Sequence, residues 1–211
     1  MVIKRFLLLV FLSSFFLVFS QSFANDENQV RILIFGDSIT AGYGLDTEEA
    51  FPFLVGKMLN ENGYKVEVVN AGLSGETSAG GVRRVDWVMR NPPNIFVLEL
   101  GGNDGLRGID PIVTKSNLQQ IIDKVRAVSP DITILLAGME APPNMGEVYT
   151  NQFRNIFIEL AEENEIPLMP FILEDVAGNP ELNLPDGIHP TAKGHRIIAE
   201  NLMPYLVKLL D

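Results

Sequence analysis

From Val30 to Leu210, short apolar runs alternate with segments whose apolar residues return every three or four positions. Residues 30–35 form a compact apolar run closed by Gly36, and such a run bounded by a turn residue predicts a buried strand. Residues 50–59 place Phe51, Leu54, Val55, Met58 and Leu59 on one helical face, with Gly63 beyond as a stop. Further strands are predicted at 65–69, 95–100, 132–137 and 166–169. Helical spacing recurs in Val82, Val85, Val88 and Met89 over 77–89, and in Leu118, Ile121, Ile122 and Val125 behind an Asp110 N-cap with Pro111 at the first helical position. Phe153, Ile156, Phe157, Leu160 and Ala161 mark another helix. The last spans 191–210, where Pro204 predicts a kink or a fresh turn.

Strands alternating with helices of this length imply βαβ units and a parallel sheet. Five strands with helices on both faces give an α/β protein, a three-layer α/β/α sandwich without internal repeat or linker. Ligands of open parallel sheets bind outside the carboxyl ends of the strands. The loops to read are therefore 36–47, 70–76, 101–109, 138–148 and 170–190.

Gly36-Asp37-Ser38 follows the first strand and opens a helix, where the Ser38 hydroxyl can face the cleft. Taken alone, Gly-Asp-Ser is a weak signal, and a helix cap is the commoner role for such a serine. Gly72, after the second strand, can bring a backbone N–H to a ligand or form a plain turn. Asn103, in Gly101-Gly-Asn-Asp-Gly105, can donate its amide into the same cleft, as oxyanion holes require, or serve turn chemistry. Asp186-Gly-Ile-His189 supplies a general base with a carboxylate three residues away that can hold its Nδ1–H. A metal site built on His189 and His195 has no supporting ligand spacing; His195 is expected on the last helix, facing solvent or the sheet. The pieces gain meaning jointly, since all fall at strand carboxyl ends.

Composition modifies this picture at one end of the chain. Lys4 and Arg5 precede an apolar run over 6–19 and then Ser22-Phe23-Ala24, the order of a secretory signal. The 14-residue run is short of the roughly 20 that a spanning helix needs. Cleavage after Ala24 is expected, leaving one domain over 25–211 in the periplasm or outside the cell, with no stable membrane insertion. The 211-residue chain carries 27 acidic and 16 basic residues for a net charge of −11, and loss of Lys4 and Arg5 takes it to −13. Such acidity excludes a nucleic-acid partner, which needs clustered cations. With no cysteine, the chain has no disulfide, thiolate metal site or sulfur nucleophile.

The four blocks resemble those of the SGNH (GDSL-type) hydrolases, with Ile39 where many members have Leu. Leu73-Ser-Gly-Glu-Thr-Ser78, Gly101-Gly-Asn-Asp-Gly-Leu-Arg-Gly108 and Asp186-Gly-Ile-His-Pro190 are similar to the bacterial periplasmic acyl-CoA thioesterase I/lysophospholipase/arylesterase group. The resemblance implies a flavodoxin-like fold with strand order 2-1-3-4-5. It implies Ser38 as nucleophile, His189 as base, Asp186 as its orienter, and an oxyanion hole from the Ser38 and Gly72 N–H groups with the Asn103 side chain. It also implies acyl-ester, thioester or lysolipid substrates and no metal or organic cofactor, with a monomer as the expected state. The segment 137–144 departs from the family pattern where relatives border their acyl pocket. Leu106, Met139, Pro142, Asn144 and Ile188 are the expected substrate contacts. Other functions compatible with the scaffold are a carbohydrate acetyl esterase and a non-catalytic binding protein.

Overall fold

The computed structural model describes residues 29–211; the expected leader and its cleavage point lie outside the described residues. Strands β1 (Val30–Gly36), β2 (Val66–Gly72), β3 (Ile95–Glu99), β4 (Thr133–Ala137) and β5 (Leu168–Met169) form one sheet in the order β2-β1-β3-β4-β5. Every pairing is parallel. Helices α1 (Ser38–Ala41), α2 (Phe51–Glu61), α3 (Ser78–Val88), α4 (Gly102–Leu106), α5 (Pro111–Val128), α6 (Glu147–Asn164) and α7 (Ala192–Leu210) connect and flank it. One layer is built by α3, α5 and α6 packing side by side; α2 against α7 forms the other.

Parallel strands covered on both faces must be apolar throughout. All five residues of β3 are buried, as are Ile32 to Gly36 of β1. Phe35, Phe51, Phe96, Phe153 and Phe157 are the largest side chains excluded from water. Edge strand β2 is buried only at Val66, with Glu67 and Asn70 exposed.

Two boundaries differ from the sequence expectation. Strand β2 runs three residues further, to Gly72, which pairs in register with Gly36. A side chain at either glycine would collide with α1: a Cβ at Gly36 would lie 2.1 Å from Thr40 Oγ1, and one at Gly72 2.2 Å from the Ala41 nitrogen. The paired glycines thus let a helix lie directly on the strand ends. At the opposite edge β5 shortens to Leu168–Met169. Ile166 donates its N–H back to Ala161 of α6, and Pro167 has none to give.

Helix α7 continues through Pro204, which is exposed. His195 on that helix faces neither solvent nor the sheet. It is buried against the start of α2, where its Nδ1 accepts the Phe51 N–H at 3.1 Å and its ring stacks on Phe51. The N-cap of α2, Ala50, has no side-chain acceptor, so the imidazole satisfies a donor that the helix start leaves open. Burial pulls His195 down from 6.5 to about 4. Between those values the unfolded chain binds a proton that the folded one refuses. Stability is therefore expected to fall as pH drops from about 6.5 to about 4, by roughly 3 kcal/mol from this group. His195→Asn keeps an acceptor and does not titrate; urea midpoints at pH 7 and 4.5 should then differ less than in the wild type. An unchanged difference would remove His195 from the account.

Candidate active site

The sheet reverses its direction of winding between β1 and β3, where a flavodoxin-like sheet opens its binding crevice. Ser38 follows β1 and Asn103 follows β3, so both stand at that opening. Ser38 is the first residue of α1. The carboxylate of Asp37 caps the helix by accepting the Ile39 N–H at 2.9 Å, and Gly42 ends it in the left-handed conformation. The hydroxyl is thereby presented by a single capped helical turn at the mouth of the cleft.

The other half comes from the loop before α7. His189 Nε2 lies 3.0 Å from Ser38 Oγ, and its Nδ1 lies 2.7 Å from Asp186 Oδ2. Asp186 Oδ1 accepts the backbone N–H groups of Ile188 and His189, so one carboxylate folds the loop and aligns the ring. Leu184 and His189 close the turn through a 2.7 Å backbone bond, with Gly187 at a φ of 70°. The bond from His189, followed by the two amides, holds the Asp186 carboxyl down at about 2. It remains an acceptor at any pH where the imidazole is neutral. That places the imidazole proton on Nδ1 and leaves Nε2 free to take one from Ser38.

Asn103 Nδ2 donates to Asp37 Oδ2 at 3.2 Å, which turns the amide nitrogen toward the cleft. Arg107 Nη2 holds the other end, bonding Asn103 Oδ1 at 3.4 Å and the Gly75 carbonyl at 3.2 Å. Beneath them Asp104 is fully buried and satisfied by the Ser78 N–H and the hydroxyls of Ser78 and Thr114. Burial raises Asp37 to about 6, and burial followed by the Asp37 charge pushes Glu99 well above its ordinary value. Glu99 Oε2 accepts the Thr40 hydroxyl at 2.6 Å, bracing α1 from below.

Residues 34–197 match the GDSL-like Lipase/Acylhydrolase family. The chain belongs to this family. It is 36% identical to the arylesterase of Vibrio mimicus over 94% of its own length and 98% of that protein's. It is 37% identical to the thioesterase 1/protease 1/lysophospholipase L1 of Escherichia coli (strain K12), over 85% of both. The crystal structure of the psychrotrophic esterase EstA from Pseudoalteromonas sp., inhibited by monoethylphosphonate, superposes with a TM-score of 0.80 at 33% identity, covering 87% of this chain and 99% of that one.

In this GDSL-family hydrolase, a cavity of about 650 Å³ opens beside the Ser38 hydroxyl, within the size range of small-molecule sites. Leu106, Met139, Pro142 and Ile188 line it together with Ser38, Asn103 and His189. Asn144 does not. It belongs to the exposed 3-10 turn Pro143–Met145, which turns it to solvent while Pro142 and Pro143 form the rim. Phe171, Leu173 and Ala177 supply a wall that the sequence reading passed over, because the segment after β5 carries no periodic pattern to mark it.

Gly72 also departs from expectation. Its N–H is already donated to Asn70 Oδ1 at 2.9 Å, inside the strand end. Three residues on, Gly75 has a φ of 80° and a carbonyl tied to the same guanidinium as Asn103. Among the described residues its N–H has no acceptor. The sequence offered two glycines in one loop, and only the hydrogen bonding separates them.

Proposed function

We propose that this chain cleaves carboxylic esters and thioesters of acyl chains through an acyl-enzyme, with Ser38 as nucleophile, His189 as general base and Asp186 as its orienter. The observation that carries the reading is the unbroken chain Ser38 Oγ, His189 Nε2, His189 Nδ1, Asp186 Oδ2, opening on an apolar cavity. Ser38 Oγ attacks the carbonyl carbon while its proton passes to Nε2. The oxyanion is received by the Ser38 N–H and the Asn103 amide, with the Gly75 N–H in the place first read for Gly72. Collapse of the intermediate breaks the ester or thioester bond, and Nε2–H protonates the departing alcohol or thiol. Water, deprotonated by His189, then releases the acid.

Leu106, Met139, Phe171, Leu173 and Ile188 suit an acyl chain rather than a sugar, whose hydroxyls would need partners that these side chains do not offer. The high negative charge disfavours long-range attraction of anionic acyl-CoA, so neutral esters and lysolipids are the better substrates. Among the described residues no helix is long and apolar enough to cross a membrane. We read residues 1–24 as an export leader, removed after Ala24, which places the enzyme in the periplasm or outside the cell.

Fluorophosphonate treatment, followed by peptide mass spectrometry, should find the adduct on Ser38. A p-nitrophenyl ester panel should show octanoate cleaved at least about tenfold faster in kcat/KM than acetate, roughly the discrimination that a few buried methylenes supply. An adduct elsewhere would overturn the nucleophile. A preference for acetylated sugars would overturn the substrate class.

A further inference from the structure

Tyr43 takes no part in the steps above, yet its ring centroid lies 4.4 Å from that of His189, tilted by 35°. The chain builds this contact at some cost. Gly42 and Gly44 both occupy the left-handed region, with φ of 74° and 81°, so the backbone turns sharply on each side of Tyr43. Tyr43 N–H donates to the Ser38 carbonyl at 3.1 Å, tying the turn to the helix that presents the hydroxyl. Gly44 closes on the opposite loop, since a Cβ there would lie 3.1 Å from Leu184 Cδ1. Leu184 in turn holds the His189 carbonyl.

Half of the Tyr43 surface remains exposed, against the tendency of a large ring to be buried in the core. His189 and Asp186 are themselves accessible, at 18% and 38% of their side chains. Water can therefore reach the pair, and the hydrogen bond from Asp186 fixes only one edge of the imidazole. The ring of Tyr43 covers a face.

We propose that Tyr43 is a positioning residue for His189: its aromatic face holds the imidazole in line with Ser38 and favours the imidazolium formed as Ser38 attacks. That role presupposes His189 as the base. An aromatic face attracts a cation within about 6 Å of its centroid, and the ring of His189 gains the proton of Ser38, and with it a positive charge, as the tetrahedral intermediate forms. Stabilisation of a charge that exists only along the reaction path appears in kcat and leaves KM alone.

Tyr43→Ala should lower kcat for p-nitrophenyl octanoate about tenfold, with KM within twofold and fluorophosphonate labelling of Ser38 slowed in parallel. Tyr43→Phe and Tyr43→Trp should recover the rate to within about threefold of wild type, because they restore the aromatic face. Tyr43→Leu restores apolar bulk without that face and should stay low. The inference is overturned by a Tyr43→Ala enzyme with wild-type kcat, by a loss confined to KM, or by recovery in Tyr43→Leu equal to that in Tyr43→Phe. Should the alanine variant fail to fold, the leucine and phenylalanine variants still decide. Ser38→Ala, assayed alongside, separates the two levels: activity surviving there removes the triad reading itself, whereas a dead Ser38→Ala with an unaffected Tyr43→Ala removes only the role of Tyr43.

Discussion

Ser38→Ala is expected to lower kcat/KM on p-nitrophenyl octanoate by about 10⁴-fold or more, with the melting temperature little changed. In the proposed reaction the hydroxyl oxygen bonds to the acyl carbon, and no unengaged oxygen beside it replaces it. The neighbouring oxygens belong to Asp37, engaged by Ile39 and Asn103, and to Thr40, engaged by Glu99. What remains should be the modest acceleration from oxyanion donors and from substrate held in the cavity. Stability should persist because the α1 cap and the Thr40–Glu99 bond do not involve the Ser38 hydroxyl. The comparison is a progress curve of purified variant against wild type at equal concentration, with the fluorophosphonate adduct as a control. Retention of more than about a hundredth of the wild-type rate would transfer the nucleophile elsewhere.

Asn103→Ala is expected to cost about 10²–10³ in kcat, the usual effect of removing one oxyanion donor, with a smaller change in KM. The carbonyl gains its full negative charge only in the tetrahedral intermediate, so a donor aimed at that charge acts on the transition state more than on bound substrate. The amide is prepared for this before substrate arrives. Asp37 and Arg107 grip its two ends, and Asp104 next to it is locked by Ser78 and Thr114. Alanine removes the donor together with its bonds to Asp37 and Arg107, while the contacts of Asp104 with Ser78 and Thr114 stay in place. Steady-state kinetics on one ester decide the matter: a loss carried wholly by KM would make Asn103 a substrate contact and not an oxyanion donor.

The alternation of apolar runs and helical faces was enough to name the architecture, because strands buried on both sides read as near-continuous apolar runs. Residues 32–35 and 95–98 illustrate this, each read as part of a strand and each found in the core, whereas Glu99 at the end of β3 is a buried carboxylate held by Thr40. The meeting of Ser38, His189 and Asp186 was legible for a related reason. Chemistry in an open parallel sheet gathers at strand ends, so Gly-Asp-Ser after one strand and Asp-x-x-His after another fall in one cleft. Where the reading failed, the missing information was a partner. His195 looked like a residue for solvent or sheet, yet it caps a helix that begins 144 residues earlier. Gly72 looked like a free N–H, yet Asn70 uses it. Asn144 looked like a pocket residue, yet the turn of the chain faces it outward.

By itself, then, the sequence determined the layers of the sandwich and the chemical types gathered at its open edge, since these follow from burial periodicity and from the chain positions of a few reactive side chains. Tertiary structure alone decided which donors remain unspent, that Arg107 and Asp37 aim the Asn103 amide, that Phe171 and Leu173 wall the cavity, and that Tyr43 lies on the imidazole. Hydrogen-bond capacity and ring contacts are properties of pairs. Their members stand as far apart in the chain as Ser38 and His189, separated by 151 residues, and the order of residues carries no record of them until the chain has folded.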